Sequence, residues 1–197
     1  MNRHLTPVCK TAILINGIPA SGKSTITRLL AETFSLPVLT IDGIKEPFMA
    51  RLAPVDRPMN RQLGCAAYEV IWSIVAASPA SMVWLIDAWF GFQPRETLQR
   101  LLQQAGVEQV IEIWNHISPE LAVARYASRL ATRPPGHPGE EYLPELAQLA
   151  GRAQPMSLGP LLTIDQQRPL EITAVIHWLE GTISGQRTGL ANYAYPS

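Results

Sequence analysis

Two glycines, a lysine and a hydroxyl stand at the spacing GxxxxGK[ST] in Gly17-Ile18-Pro19-Ala20-Ser21-Gly22-Lys23-Ser24. These residue types at this spacing suit anion binding. Gly17 and Gly22 let the backbone turn so that several N–H groups point into one hollow. A helix dipole starting near Lys23 adds partial positive charge. Lys23 can reach β- and γ-phosphates, and the Ser24 hydroxyl can ligate Mg²⁺. A Gly-rich surface turn would show the same letters, so the flanks decide. Ala12-Ile13-Leu14-Ile15 is an apolar run of strand length, and Ile26, Leu29, Leu30 and Phe34 share a helical face. A loop between strand and helix is the setting that a phosphate cradle needs. The stretch from Gly17 through Thr25 is therefore predicted to bind a nucleoside triphosphate with Mg²⁺.

Two carboxylates stand where such a site would use them. Asp87 closes Val83-Trp84-Leu85-Ile86-Asp87, four apolar residues and an acid. A carboxylate at the end of a buried strand can hold Mg²⁺ directly or through water. Asp42 follows Leu36–Ile41 at the equivalent point of a second strand. It can take a proton from a hydroxyl or join the Mg²⁺ shell, though Asp-Gly is also a frequent turn pair. Arg125 and Arg129 lie four apart on an expected helix, and Arg133 extends the row up to Pro134. A guanidinium binds two phosphate oxygens at once, so this row before a Pro/Gly loop can clamp a transferring phosphate.

The elements that would position these groups alternate. Strands are predicted at Ala12–Ile15, Leu36–Ile41, Met82–Ile86, Gln109–Trp114 and Leu161–Ile164. Helices are predicted at Ile44–Leu52, Met59–Ala77, Glu96–Gln104, Ser118 to about Thr132, Tyr142–Ala150 and Leu170–Glu180, besides the one after the loop. Met59–Ala77 carries a stripe of Leu63, Ala67, Val70, Ile71 and Ile74. Residues 181–197 have weak patterning and are read as mostly irregular. Alternation implies an α/β fold with a parallel sheet covered on both faces, and ligands of such sheets bind at the strands' carboxyl ends. The loop, Asp42, Asp87 and the segment beyond Trp114 all fall there. Of the aromatics near the third strand, Trp84 is expected to pack in the core; Trp89 and Phe90 fit either packing or an acceptor surface.

The chain has 197 residues, 47% hydrophobic and 16% charged, which suits one globular domain. Its 16 Lys+Arg balance 16 Asp+Glu, so nothing favours a nucleic-acid partner. Cys9 and Cys65 form no CxxC or Cys/His cluster, which fits a cytoplasmic protein and excludes a disulfide framework or zinc site. No apolar run is long enough for a signal peptide or a transmembrane helix, so no membrane association is expected.

The strand–GIPASGKST–helix, the strand ending at Asp42, the helical insertion before the Asp87 strand, and RYASRLATRPPGHPG together resemble the small ATP-dependent P-loop kinases. That group includes shikimate and gluconate kinases, chloramphenicol phosphotransferase and zeta-toxin-like kinases. The resemblance covers about residues 12–178. It implies a three-layer α/β/α domain with a five-stranded parallel sheet, an acceptor-binding insertion at about 43–80 and a lid at about 125–141. It also implies that the Asp87 strand lies next to the loop strand, with the Asp42 strand one place further out. By this likeness Lys23 and Ser24 serve phosphate and Mg²⁺. Asp42 binds the acceptor or acts as base, and Arg125, Arg129 and Arg133 close on the phosphates. His137 resembles the histidine of an HPGH-like lid. The implied activity is transfer of the ATP γ-phosphate to a hydroxyl of a small-molecule acceptor, one version of which is an antibiotic or nucleotide-sugar phosphotransferase. A regulatory NTP switch is the alternative from another class; the N-K-x-D-type base-reading motif of a GTPase is absent. Neither the acceptor nor the oligomeric state is legible.

Overall fold

The computed structural model describes Leu5 and residues 9–185. Of residues 181–197, read as mostly irregular, 181–183 instead continue the last helix, Ile172–Ile183, and 186–197 lie outside the described residues. Five strands among them form one parallel sheet in the order β2-β3-β1-β4-β5. These are β1 (Thr11–Asn16), β2 (Val38–Thr40), β3 (Val83–Ala88), β4 (Gln109–His116) and β5 (Leu161–Asp165). The helices are α1 (Lys23–Phe34), α2 (Ile41–Leu52), α3 (Arg57–Ala77), α4 (Arg95–Gln104), α5 (Pro119–Ala127), α6 (Leu143–Arg152) and α7 (Ile172–Ile183).

Strand β1 is central because its side chains are apolar on both faces. Ala12 and Leu14 join a core layer with Tyr68, Ile71 and Trp72 of α3 and Leu98 and Leu101 of α4. Ile13 and Ile15 point the other way, onto Ile26 and Leu30 of α1 and Val175 and Leu179 of α7. This period-two split over a doubly covered strand makes the three layers. A third cluster joins Ile18 of the loop to Ala122 and Tyr126 of α5 and Leu146 of α6.

Several expected boundaries shift for physical reasons. Strand β2 is short, and Asp42 sits in the first turn of α2 rather than at a strand-ending Asp-Gly turn. The Thr40 hydroxyl accepts from Gly43 N at 2.7 Å and starts the helix at Ile41, ahead of the expected Ile44. Asp87 lies inside β3, one residue before its end, paired in register with Ile15 and Thr40. The stripe on α3 is rotated from the expected one: Ala67, Tyr68, Ile71, Trp72 and Val75 are buried, while Val70 and Ile74 are exposed. Tyr68 drives this rotation, since its ring packs edge-on against Trp72, Phe90 and Phe92.

The expected helix to Thr132 also stops early. The Ser118 hydroxyl accepts from Leu121 N at 3.3 Å and caps α5. The helix ends at Ala127, and Leu130–Thr132 is a separate 3₁₀ turn. Arg125 and Arg129 therefore do not share a helical face.

Lys10 ties two helix ends to the sheet. It is buried, and its Nζ donates to Val75 O, Ala76 O and Ala105 O at 2.9, 3.1 and 3.2 Å. A cation at the carboxyl ends of α3 and α4 meets both their free carbonyls and their dipoles. Lys10→Met is expected to lower unfolding free energy by about 1–3 kcal/mol, because it takes the ammonium donor from Ala76 O and Ala105 O while Val75 O keeps Ser78. Urea denaturation measures this; a change under about 0.5 kcal/mol rejects the role.

Candidate active site

The loop is built as its glycines require. Gly17 and Gly22 have φ of 154° and 83°, and Ala20 also lies at positive φ, 66°. A Cβ on Gly17 would meet Ser21 Oγ at 2.3 Å and Asn115 O at 3.0 Å, so the loop folds over that position only with glycine. Asn16 anchors the loop's start. Its Oδ1 accepts from Gly17 N at 2.8 Å and Phe90 N at 3.1 Å, and its Nδ2 donates to Glu112 Oε1 at 2.7 Å. Buried Glu112 also accepts from Met156 N and Ser157 N. Asn115 Nδ2 donates to Asn16 O at 3.0 Å, and Gln166 Nε2 donates to Asn115 Oδ1 at 3.1 Å. Side chains from β1, β4 and the end of β5 thus fix the loop from below. Sequence reasoning missed this network, since isolated Asn, Glu and Gln have no pattern to find.

The loop forms one wall of a cleft of about 1410 Å³ at the carboxyl ends of the strands. Lys23, Asp42, Asp87, Arg129, Arg133 and His137 all line it. Lys23 is half-buried, and its Nζ donates to Ile18 O at 3.0 Å. Burial pushes its ammonium below the usual lysine range, helped by the Arg129 charge; Asp87 and Asp42 oppose this.

The two carboxylates are driven apart by their surroundings. Asp87 is 6% exposed, and burial raises its carboxyl above the ordinary range against the pull of Lys23, Ser24 and Thr27. Thr27 Oγ1 donates to Asp87 Oδ2 at 3.2 Å. Asp42 stands on the cleft floor, walled by protein but with 58% of its side chain open to solvent. Burial raises it, yet Lys45 Nζ at 3.1 Å, with charge from Lys23, carries it below the ordinary range. Divergent carboxylates in one cleft suit two different roles.

The three arginines separate. Arg129 and Arg133 face the cleft. Arg125 turns away to Gln166, donating to its Oε1 at 3.0 Å and its O at 3.3 Å. Gln166 Oε1 lies 2.4 Å from where a Gly22 Cβ would stand, so Arg125 braces the loop's far side. Arg133 holds its guanidinium 4.5 Å over the Tyr126 ring and donates to His137 Nδ1 at 2.9 Å. His137 Nε2 meets Glu46 Oε1 at 2.8 Å.

Asp42, Glu46 and His137 bring ligand-capable atoms within 4.8 Å of one another. The trio is not a cation cage. Arginine only donates, so His137 Nδ1 accepts and Nε2 carries the proton. Lys45 occupies the Asp42 oxygen. Glu46 lies four residues beyond Asp42 on α2, and that spacing is the signal that could have found it.

Among the aromatics, Phe90 is fully buried in the core, and Trp84 packs against it. Trp89 lines the cleft with its ring centroid 5.9 Å from that of Trp114.

The residues fit a Mg²⁺-bound nucleotide on two observations. Buried Ser21 Oγ has no hydrogen-bond partner among the described residues, and the Lys23 ammonium is held on a backbone carbonyl while its charge is disfavoured. Ser24 and Thr27 hydroxyls flank an Asp87 carboxylate that forms no ion pair among the described residues. An anion at the loop and a divalent ion at Asp87 would relieve both.

No protein-family model matches the sequence, and no curated protein sequence matches it. Solved structures do. A "putative kinase" from Chloroflexus aurantiacus J-10-fl is 27% identical, with 88% of this chain and 97% of that one covered, at a TM-score of 0.72. A gluconokinase from Sinorhizobium meliloti 1021 is 18% identical, covering 94% and 99%, at 0.58. A shikimate kinase from Acinetobacter baumannii, solved with shikimate, is 16% identical, covering 92% and 97%, at 0.52. The chain has the P-loop NTPase fold, in the form that small P-loop kinases share. No helix among the described residues is long and apolar enough to cross a membrane.

Proposed function

We propose that this protein is an ATP-dependent kinase that transfers the γ-phosphate to a hydroxyl of a small molecule. One observation carries the reading. The phosphate-type loop, a buried carboxylate beside its hydroxyls and a second, open carboxylate share one cleft with two lid arginines. A hydrolytic switch needs the first two parts but has no use for the open carboxylate.

In this reading the backbone of Gly17–Thr25 cradles the phosphates and Lys23 leaves Ile18 O to meet them. Ser24 and Asp87 would hold Mg²⁺, which supplies charge neutralisation when bound. Asp42, oriented by Lys45, faces the acceptor hydroxyl and takes its proton. Arg129 and Arg133 draw charge from the transferring group, while Arg125 acts through Gln166 on the loop. Residues 43–80 would form the acceptor side and 125–141 the lid. Phosphoryl transfer relies on positioning and charge stabilisation more than on covalent chemistry, which suits this set of groups.

ATP turnover measured with and without a library of hydroxylated metabolites tests the proposal. A kinase needs an acceptor; equal turnover without one identifies a switch or hydrolase. Arg129 makes no side-chain hydrogen bond or ion pair among the described residues and is exposed. Arg129→Ala is therefore expected to lower kcat roughly 10²-fold or more while changing KM for ATP little, since a lid arginine acts on charge that develops in transfer. An unchanged kcat makes it a surface residue.

A further inference from the structure

The loop that carries His137 is tied down by more than its ring. Asn60 Nδ2 donates to Gly136 O at 2.7 Å, and Tyr126 OH donates to Pro138 O at 2.9 Å. Gly136 has φ 93°, and a Cβ there would meet Met49 Cε at 2.9 Å and Val55 Cβ at 3.0 Å. The loop thus presses on α2 and the start of α3, and the His137 side chain is only 3% exposed.

The ring sits between two charged groups on separate elements. Arg133 donates to Nδ1, and Nε2–H donates to Glu46. Both ring nitrogens are used, and only the neutral Nε2–H form satisfies both partners. A second proton would go on Nδ1, where it faces the Arg133 guanidinium.

We propose that His137 is a positioning residue that couples α2, the helix bearing Asp42, to the Arg133 guanidinium and holds the lid loop closed only while its ring is neutral. The inference rests on the kinase reading for its functional meaning, though not for its geometry. Closing the loop sets Arg133 over Tyr126 at the cleft wall. It also fixes Glu46 one turn along from Asp42, so lid and acceptor side are set together.

The charged groups facing the ring are Lys45, Asp42 and Glu46 from α2 and Arg133 from its own loop. Burial lowers the ring below the usual histidine range, and Lys45 and Arg133 add to this; the Glu46 bond and Asp42 oppose it. The closed state therefore binds fewer protons than the open one. Closure is fully present above about pH 6.5, the ordinary histidine value, and weakens as pH falls below it.

Amide hydrogen exchange of Gly136, His137 and Gly139 between pH 5 and 8 reads the lock without any enzymatic assay. Rates are corrected for intrinsic exchange and taken in parallel with calorimetric titration of Mg·ATP. Wild type is expected to lose protection by up to about tenfold per pH unit below about 6.5, the limit for one proton taken up on opening. His137→Gln is expected to show low protection with no such pH slope. Glu46→Gln keeps a carbonyl for Nε2–H but removes the charge that raises the ring in the closed state, so the loss still begins near pH 6.5 and continues to lower pH before it levels off. This variant keeps the test open if His137→Gln fails to fold. A wild-type protection that is flat from pH 5 to 8, a slope that persists in His137→Gln, or a loss that levels off at higher pH in Glu46→Gln than in wild type overturns the proposal. A slope that follows these substitutions in a protein that binds no Mg·ATP supports the lock and rejects the kinase reading instead.

Discussion

Asp42→Asn is expected to keep Mg·ATP affinity within a few fold while lowering the transfer rate by roughly 10²–10⁴, the usual size for losing a general base. Asp87→Asn is expected to do the reverse, weakening Mg²⁺-dependent nucleotide binding. The order β2-β3-β1 puts the Asp87 strand beside the loop strand and Asp42 one strand further out, at the inserted helices. Stability adds a second discriminator. Asp87 is raised above the ordinary carboxylate range by burial, so its ionised form destabilises the ligand-free fold at neutral pH, and this is relieved as pH falls through its folded value. Asp87→Asn should then leave the ligand-free Tm unchanged or higher. Asp42 is lowered, mainly because Lys45 outweighs burial, so it contributes stability above the ordinary value that is lost at more acid pH. Its side chain is mostly open to solvent, so that contribution is small. Calorimetric titration of Mg·ATP and thermal melts of both variants, with turnover once an acceptor is found, separate the roles. If Asp42→Asn loses metal dependence and Asp87→Asn keeps it, the assignments are exchanged.

Lys23→Met is expected to abolish transfer, a loss of at least about 10³ in kcat, because charge neutralisation on the transferring phosphoryl group is the main catalytic term. The fold should survive. Burial disfavours the ammonium in the ligand-free cleft, and its bond to Ile18 O is one contact on a half-buried side chain. Removing it should leave Tm unchanged or raise it, the pattern expected of a residue held at a cost to stability for function. Turnover and a thermal melt of one sample suffice. Wild-type-like turnover by folded Lys23→Met protein sinks the phosphate-loop assignment.

The sequence by itself determined the parts of this protein that are local. The loop pattern between an apolar run and a helical stripe reads correctly because GxxxxGK[ST] sets its own backbone through glycines at Gly17 and Gly22. Strands β1 and β3 were legible for a related reason: strands covered on both faces are near-continuous apolar runs, and the strands here alternate with helical periods. The core placement of Ala67 and Ile71 within α3 followed as well, although the rest of the stripe did not. Val70 and Ile74 are as apolar as Ile71, and only the Tyr68 ring cluster chooses between the two faces.

Tertiary structure alone decided how the charged residues divide. Arg125, Arg129 and Arg133 look like one row in sequence, but the helix ends at Ala127, after which the spacing no longer fixes direction. Arg125 then meets Gln166, 41 positions away, and Arg133 meets His137 in its own loop. Asp42 gains Lys45 from its own helix, whereas Glu46, one turn further on, meets the lid's His137 from 91 positions away. A hydrogen bond or ion pair between distant residues leaves no periodic trace, because it depends on where two chain segments meet and not on what repeats along either one. That is why the phosphate loop could be read from eight letters, whereas the Glu46–His137–Arg133 link needed the folded chain.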